Sequence, residues 1–452
     1  MRRFLYIFLV LGVGFLSSCS NSSNTVSTSA VAQLNTFRFL ANSRYPGLAA
    51  AKFTIEERVD TGLVYNADSL LFGTRLDTVV PKFTFVTTPG SARLTLSRPD
   101  TTFYLTGNDT VDFTRQPIYL TINSSDGSTT KVYEIRVTVH QTDPDLFVWH
   151  CLNEGIYPLD DSEQRVLRMN DMFVMIANNG FENHVYTSSD GAVWEDQGLP
   201  VGLPSNCHVR SIVADDSLFH AMYYAADGVL YTSSDALQWT AYPCEDPRVQ
   251  TMLMHFNEQL WAVALEDEQL VLASIADDGV SLNPMTAVLP DNFPVNNFAA
   301  AEFANKSNRP RAIVLGGYAM NGDHLNSRWS FEYSAAADEY RVQNLTIEQP
   351  QFTSLTGAEI VWYDNRLYMF GGVNKNMHLQ EEPILISDDE GLNWVAPDSG
   401  KNELPVFYGA RQRQSAVVLD NNIYLIGGQN EWGTHSDVYK GRLNSIDWIK
   451  RD

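Results

Sequence analysis

Cysteine and positive charge are both scarce in this chain. Only four of its 452 residues are cysteine, and one of them, Cys19, lies close to the N-terminus. The other three, Cys151, Cys207 and Cys244, are odd in number and far apart, which excludes a disulfide framework as the source of stability. A single Cys207–Cys244 bridge and buried free thiols are the two readings, and free thiols are expected. Lysine and arginine total 31 against 54 aspartates and glutamates. So negative a surface repels phosphate backbones and anionic lipid, which argues against nucleic-acid binding and peripheral membrane docking. The sequence has no Gly-x-Ser-x-Gly, no His-Glu-x-x-His and no phosphate-cradling glycine loop. No catalytic residue, cofactor or metal site is therefore assigned.

The N-terminus does carry a signal. Arg2 and Arg3 precede an apolar run from Phe4 to Leu16, followed by Ser17 and Ser18. This is the pattern of a secretory signal over residues 1–18, and the run is too short to span a bilayer comfortably. Leu16-Ser17-Ser18-Cys19 resembles the lipobox of bacterial lipoproteins. The resemblance implies cleavage before Cys19, a lipid on its sulfur and attachment to the membrane through that lipid. Losing Arg2 and Arg3 leaves 29 basic against 54 acidic residues, a net charge near −25. Residues 19–34 open with a serine-, threonine- and asparagine-rich stretch and read as a flexible tether. An outer-membrane lipoprotein of the cell envelope, periplasmic or surface-exposed, is expected.

Residues 35–142 read as a β-sandwich. Tyr133, Ile135, Val137 and Val139 alternate with polar residues, as in a strand with one buried face. Ile118 to Ile122 is its expected partner, with Asp126-Gly127 in the turn between them. Strand number and length favour an immunoglobulin-like fold, without the Cys-Trp-Cys pattern of antibody domains.

Residues 146–452 repeat. Tryptophans recur at Trp149, Trp194, Trp239, Trp394 and Trp448, and the 155-residue gap between the third and fourth divides into three repeats. Pro284 and Tyr340 stand near the missing positions. Ile313–Gly317, Tyr368–Gly372 and Tyr424–Gly428 each end an apolar strand in Gly-Gly, and this pattern resembles kelch repeats of galactose-oxidase-like propellers. Ser188-Ser-Asp190-Gly191, Ser233-Ser-Asp235 and Ser387-Asp-Asp389-Glu-Gly391, each followed by tryptophan, resemble the Asp-box of sialidase-type propellers. The resemblance implies that these aspartates form turns and do no catalysis. The fold expected is all-β, an immunoglobulin-like sandwich followed by a six-bladed kelch/Asp-box propeller. Trp149 and Trp448 would both be fourth-strand tryptophans, one too many for six repeats. The segment Phe147 to Leu152 is therefore expected to touch the last blade and close the ring.

The loops leading into the innermost strands of such a ring carry Arg165, His208 with Arg210, Arg248, Asn297, Glu359, and Arg411 with Arg413. Guanidinium forks suit a carboxylate or a pair of sugar hydroxyls; equally, these arginines can pair with acids between blades. Trp432 is a candidate sugar platform or loop anchor. His324, His378 and His435 follow the Gly-Gly pairs in equivalent loops, which fan outward and so do not suit a metal. The leading expectation is a non-catalytic recognition protein binding a glycan or an envelope protein. A carbohydrate-active enzyme of hydrolase, lyase or mutarotase type, and a purely structural envelope component, are the alternatives.

Overall fold

A computed structural model describes residues 28–42, 44–95, 102–104, 109–156, 163–347, 355–398 and 400–447. The expected export signal, Cys19, the first part of the expected tether and Trp448 lie outside these residues. The chain divides into two compact units between Gln141 and Thr142. Among the described residues the regular structure is strand apart from three short 3-10 turns. No helix there is long and apolar enough to cross a membrane.

In the N-terminal unit, Leu34–Phe39 pairs antiparallel with Pro81–Phe85, and six further strands form a second sheet. At its centre is the expected hairpin, with Ile118–Asn123 against Thr130–Arg136 and Ile118 opposite Ile135. The Asp126 carboxylate accepts the Ser128 N–H at 2.9 Å in the turn. The period of two puts Ile118, Leu120, Ile122, Tyr133 and Ile135 on one buried face. They share a single core with Leu34, Phe37 and Phe39 of the smaller sheet. The expectation of a flexible tether reaching residue 34 does not fit the residues from Ser29 onward. Ser29 N donates to Ser125 Oγ at 2.8 Å, Thr87 Oγ1 donates to the Val31 carbonyl, and Ala32 and Leu34 are buried. Two alternating apolar side chains suffice to hold this stretch in the core, although serine and threonine dominate the preceding residues.

The second unit contains six sheets among the described residues, five of four strands and one, the fifth, of three. Their first strands are Glu163–Met169, Val213–Asp215, Arg248–Phe256, Ala299–Ala304, Glu359–Tyr363 and Ser415–Leu419. Each first strand touches the next, and the sixth touches the first, so the sheets form a closed cycle. Closure is a hydrogen-bonded splice of the two ends of the unit. Phe147–Asn153 completes the sixth sheet against Gly433–Leu443, with Phe147 opposite Leu443, as the surplus tryptophan predicts. Trp149 then packs edge-on against Phe370 of the fifth sheet at 6.4 Å.

The repeated motifs have plain physical roles. Asp190 Oδ1 accepts the N–H groups of Ala192 and Val193 at 2.8 and 3.0 Å, and Asp235 Oδ1 accepts those of Leu237 and Gln238, both at 2.8 Å. Asp389 Oδ1 accepts from Asn393 N at 2.8 Å. The following indole donates back to the turn carbonyl in all three, at 2.8 to 3.0 Å. These carboxylates are occupied in holding turns. Trp394 is buried with Ile313 and Leu315 of the preceding sheet. Tyr340 fills the same role where tryptophan is missing, edge-on to Trp261 at 4.8 Å, whereas Pro284 sits exposed in its strand. At the Gly-Gly corners the second strand abuts the next sheet. A Cβ on Gly316 would lie 1.9 Å from the Leu355 carbonyl oxygen, and one on Gly371 would lie 2.0 Å from that of Arg411. Only glycine fits there.

Cys207 is buried, Cys244 half-buried and Cys151 exposed, all as free thiols. Burial pushes the Cys207 thiol up to about 12, so it behaves as a small apolar group.

Candidate functional site

Antiparallel pairing within each sheet puts the start of the first strand and the hairpin between the second and third strands at the same edge. Hydrogen bonds between sheets show that these edges share one face of the ring. The Val249 carbonyl accepts from Gly228 N in the neighbouring hairpin, Gly357 N donates to the Asn297 carbonyl, and Arg413 N donates to the Gly357 carbonyl.

At the centre of that face, residues in or just before the first strands meet from distant parts of the chain. Arg165, third in its strand, donates Nη1 to Glu359 Oε2 at 2.7 Å. Arg210, held by the 3-10 turn Val209–Ser211, donates Nη2 to the same oxygen at 2.6 Å. Its Nη1 reaches the carbonyls of Arg413 and Gln414 at 3.0 and 3.1 Å. Arg413, at a φ of 57°, turns its side chain towards Glu163, with Nε 3.8 Å from Oε1. Exposure separates their roles. The Arg210 and Glu359 side chains are almost wholly out of water, at 2% and 5% exposed, while Arg165 and Arg413 keep 20% and 32%. Burial lowers the proton affinity of the Arg210 guanidinium against the opposing pull of Glu359; an arginine nevertheless remains charged. The Nε atoms of Arg165 and Arg210 and Oδ1 of Asn297 are buried without a hydrogen-bond partner.

Three candidate arginines, Glu359 and Asn297 thus lie at the inner edge of one face. Three candidates do other things. Arg411 is buried in its own sheet, bidentate to Asp437, bonded to the carbonyls of Tyr408 and Gly427, and stacked 4.0 Å from the Tyr408 ring. Arg248 covers the Asp227-Gly228 hairpin and lies 3.7 Å from Asp227 Oδ1. Trp432 stands 85% exposed at the tip of the sixth-sheet hairpin. His324, His378 and His435 stay in three separate hairpins. No three histidine, cysteine, aspartate or glutamate side chains among the described residues are grouped as a metal requires.

Sequence reasoning missed the neutral residues that build the hub. Gln164 Nε2 donates to the Ile426 carbonyl at 2.8 Å, and Ser415 Oγ donates to Gln164 Oε1 at 3.1 Å. Gln414 Nε2 donates to the Phe370 carbonyl at 2.6 Å. Each glutamine sits one residue from a hub arginine, so the repeated Gln-Arg and Arg-Gln pairs were the available signal.

The DUF6242 beta propeller domain matches residues 143–451, and the DUF6242 N-terminal domain, of unknown function, matches residues 20–137. The chain belongs to the DUF6242 family. Its second unit is therefore a β-propeller, and the cycle of sheets is that propeller's ring. A solved structure described as "Structure of YjhT" resembles the chain with a TM-score of 0.46 and 11% identity, covering 64% of this chain and 96% of that one. No curated protein matches. In this DUF6242 propeller the hub combines three guanidinium groups with two carboxylates, an excess of positive charge. That excess stands out, because the chain from residue 142 onward carries 18 basic and 44 acidic residues. Such a hub can bind an anion through Arg165 and Arg413, with Arg210 and Glu359 fixing the geometry beneath.

Proposed function

We propose that this protein is a lipid-anchored recognition protein of the cell envelope. In this reading Cys19 carries the lipid, an immunoglobulin-like spacer follows, and a six-bladed propeller presents its hub face to a carboxylate-bearing ligand. An acidic glycan is the first candidate ligand and an acidic group of an envelope protein the second. The observation that carries the reading is the meeting of Arg165, Arg210 and Arg413 around Glu359 in a unit so poor in positive charge. The partial exposure of the Arg165 and Arg413 side chains, against buried Arg210, supports a polar ligand there.

Recognition is favoured over catalysis because Glu359 and Glu163 are both committed to arginines of the hub. A hydrolase pair needs carboxylates available to substrate and water. The test is calorimetric titration of the full chain with uronic-acid oligosaccharides and their neutral counterparts. Binding of the acidic set, weakened at least tenfold in Arg165→Ala and Arg413→Ala, is expected. Equal affinity for the neutral set, or turnover of any sugar, overturns the proposal.

A further inference from the structure

The rim of the same face carries a second pattern. Four hairpins between second and third strands end in a large exposed apolar side chain: Phe181 in the first sheet, Met320 in the fourth, Met377 in the fifth and Trp432 in the sixth, at 86, 49, 54 and 85% exposure. These four sheets are consecutive around the ring, since the sixth touches the first. The remaining two hairpins are tight and acidic, Asp227-Gly228 and Asp267-Glu268. Acidic residues outnumber the single lysine around the apolar tips: Glu182, Asp323, Glu381, Glu382 and Glu431 are all exposed, against the exposed Lys375 of the fifth hairpin. Between the fifth and sixth hairpins a groove of about 430 Å³ is lined by Met377, His378, Leu379, Gln412, Asn430 and Glu431. Local hydrogen bonds shape the two hairpins that flank the groove. His378 N donates to Asn374 Oδ1 at 3.2 Å, and Trp432 N donates to Asn430 Oδ1 at 2.9 Å.

Leaving four such side chains in water on consecutive sheets of one face costs solubility. Exposed apolar side chains gathered on one face of a molecule are what an interaction surface presents. Tryptophan, phenylalanine and methionine are the side chains that anchor protein interfaces, methionine because it reshapes to its partner. Their spread over four sheets exceeds what a single sugar ring covers. Charge selects the partner. Residues 20–141 are nearly balanced, with 11 basic and 10 acidic residues, so the negative charge of the chain is concentrated in the unit that carries this rim. A groove with apolar walls and the Glu431 carboxylate fits the stem and head of a lysine or arginine.

We propose that the rim from the fourth sheet round to the first is a docking surface for a basic protein. The occupant is a segment whose apolar side chains cover Phe181, Met320, Met377 and Trp432 while a lysine or arginine enters the groove beside Glu431. This surface is the rim and not the hub, although Gln412 of its groove is the chain neighbour of Arg413, and it takes the opposite charge.

The experiment uses the full chain and short synthetic peptides in which one lysine or arginine is flanked by leucine and phenylalanine. Controls replace the cation with glutamate or serine, and neutral oligosaccharides are tested alongside. Fluorescence anisotropy is expected to show binding of the basic set alone, weakened by salt, and reduced about tenfold by Trp432→Ala or Glu431→Gln. Both sites are exposed, so unchanged thermal unfolding of the variants checks their fold. Equal binding of the glutamate or serine peptides, competition by the oligosaccharides, or indifference to Trp432→Ala overturns the proposal. Arg165→Ala, which tests the hub, is expected to leave peptide binding unchanged; peptide binding lost in that variant but kept in Trp432→Ala also overturns it.

Discussion

Glu359 Oε2 and Arg210 Nη2, 149 residues apart in sequence, meet at 2.6 Å with both side chains almost wholly out of water. The contact ties the fifth sheet to the second across the hub, and Arg165 brings the first sheet to the same oxygen. Removing one partner leaves a buried uncompensated charge, which costs far more than the pair contributes. Glu359→Leu is therefore expected to destabilise the propeller by about 3–5 kcal/mol in urea unfolding. Combining it with Arg210→Met should recover much of that loss. A single-variant loss under about 1 kcal/mol would mean that water reaches the pair freely.

The Gly-Gly corners give a sharper steric test. Gly371 has a φ of 59° and no room for a Cβ beside the Arg411 carbonyl. Gly371→Ala should cost ~2 kcal/mol or more, from backbone strain and displacement of the next sheet's loop. Gly322, at a φ of 87° in open space, supplies the control. Gly322→Ala should show the backbone cost alone, about 1 kcal/mol. Equal effects at the two positions would show that the corner has slack.

Ring closure rests on Phe147. It is buried, stacks on Trp149 at 5.3 Å and meets Tyr363 and Tyr368 of the fifth sheet at 5.5 and 5.6 Å. Truncation to alanine should destabilise the propeller by about 3–5 kcal/mol, a cavity being left where two sheets and the closing strand join. Amide exchange should speed up first in Phe147–Asn153 and Gly433–Leu443. Unchanged exchange there would remove the strand's claim to closing the ring.

A pH dependence follows from His255, which bridges three sheets. Its Nδ1 lies 2.9 Å from Glu302 Oε2 and its Nε2 lies 3.2 Å from Ser217 Oγ. Hydrogen bonding to Glu302 raises the imidazole above its ordinary 6.5, outweighing burial, and Asp215 and Glu258 add to the effect. A folded-state value above the unfolded one stabilises fully below pH 6.5 and loses that contribution as pH rises through the raised value. Propeller stability should therefore decline over the range just above pH 6.5, and Glu302→Gln should flatten the decline. A slope unaltered by that variant would assign it to another group.

Much of the fold is legible in local pattern. The hairpin of Ile118 and Ile135 shows as alternation, and the repeats of the second unit show as recurring tryptophans, Gly-Gly pairs and Ser-x-Asp turns. Each is a short-range device, a strand face, a corner or a turn, whose chemistry lies within a few residues of itself. The surplus Trp149 even predicts the closing strand, because a count of strands is a property of the sequence. The same local reading stretched the tether to residue 34, since the burial of Ala32 and Leu34 depends on partners across the sandwich.

The site divides along the same line. That arginines lie in the loops leading to the first strands is readable from the repeat. Which of them reach the hub is not. Arg411 and Arg413 are two residues apart, yet one is spent on Asp437 inside its own sheet and the other turns inward at a positive φ. Glu359 finds Arg165 and Arg210 only because the chain closes on itself. The sequence by itself determined the repeating unit, its turns and its scarcity of positive charge, since these follow from local spacing and composition. Tertiary structure decided which charges share the hub and which apolar tips line one rim, because those distances exist only once the ring is closed.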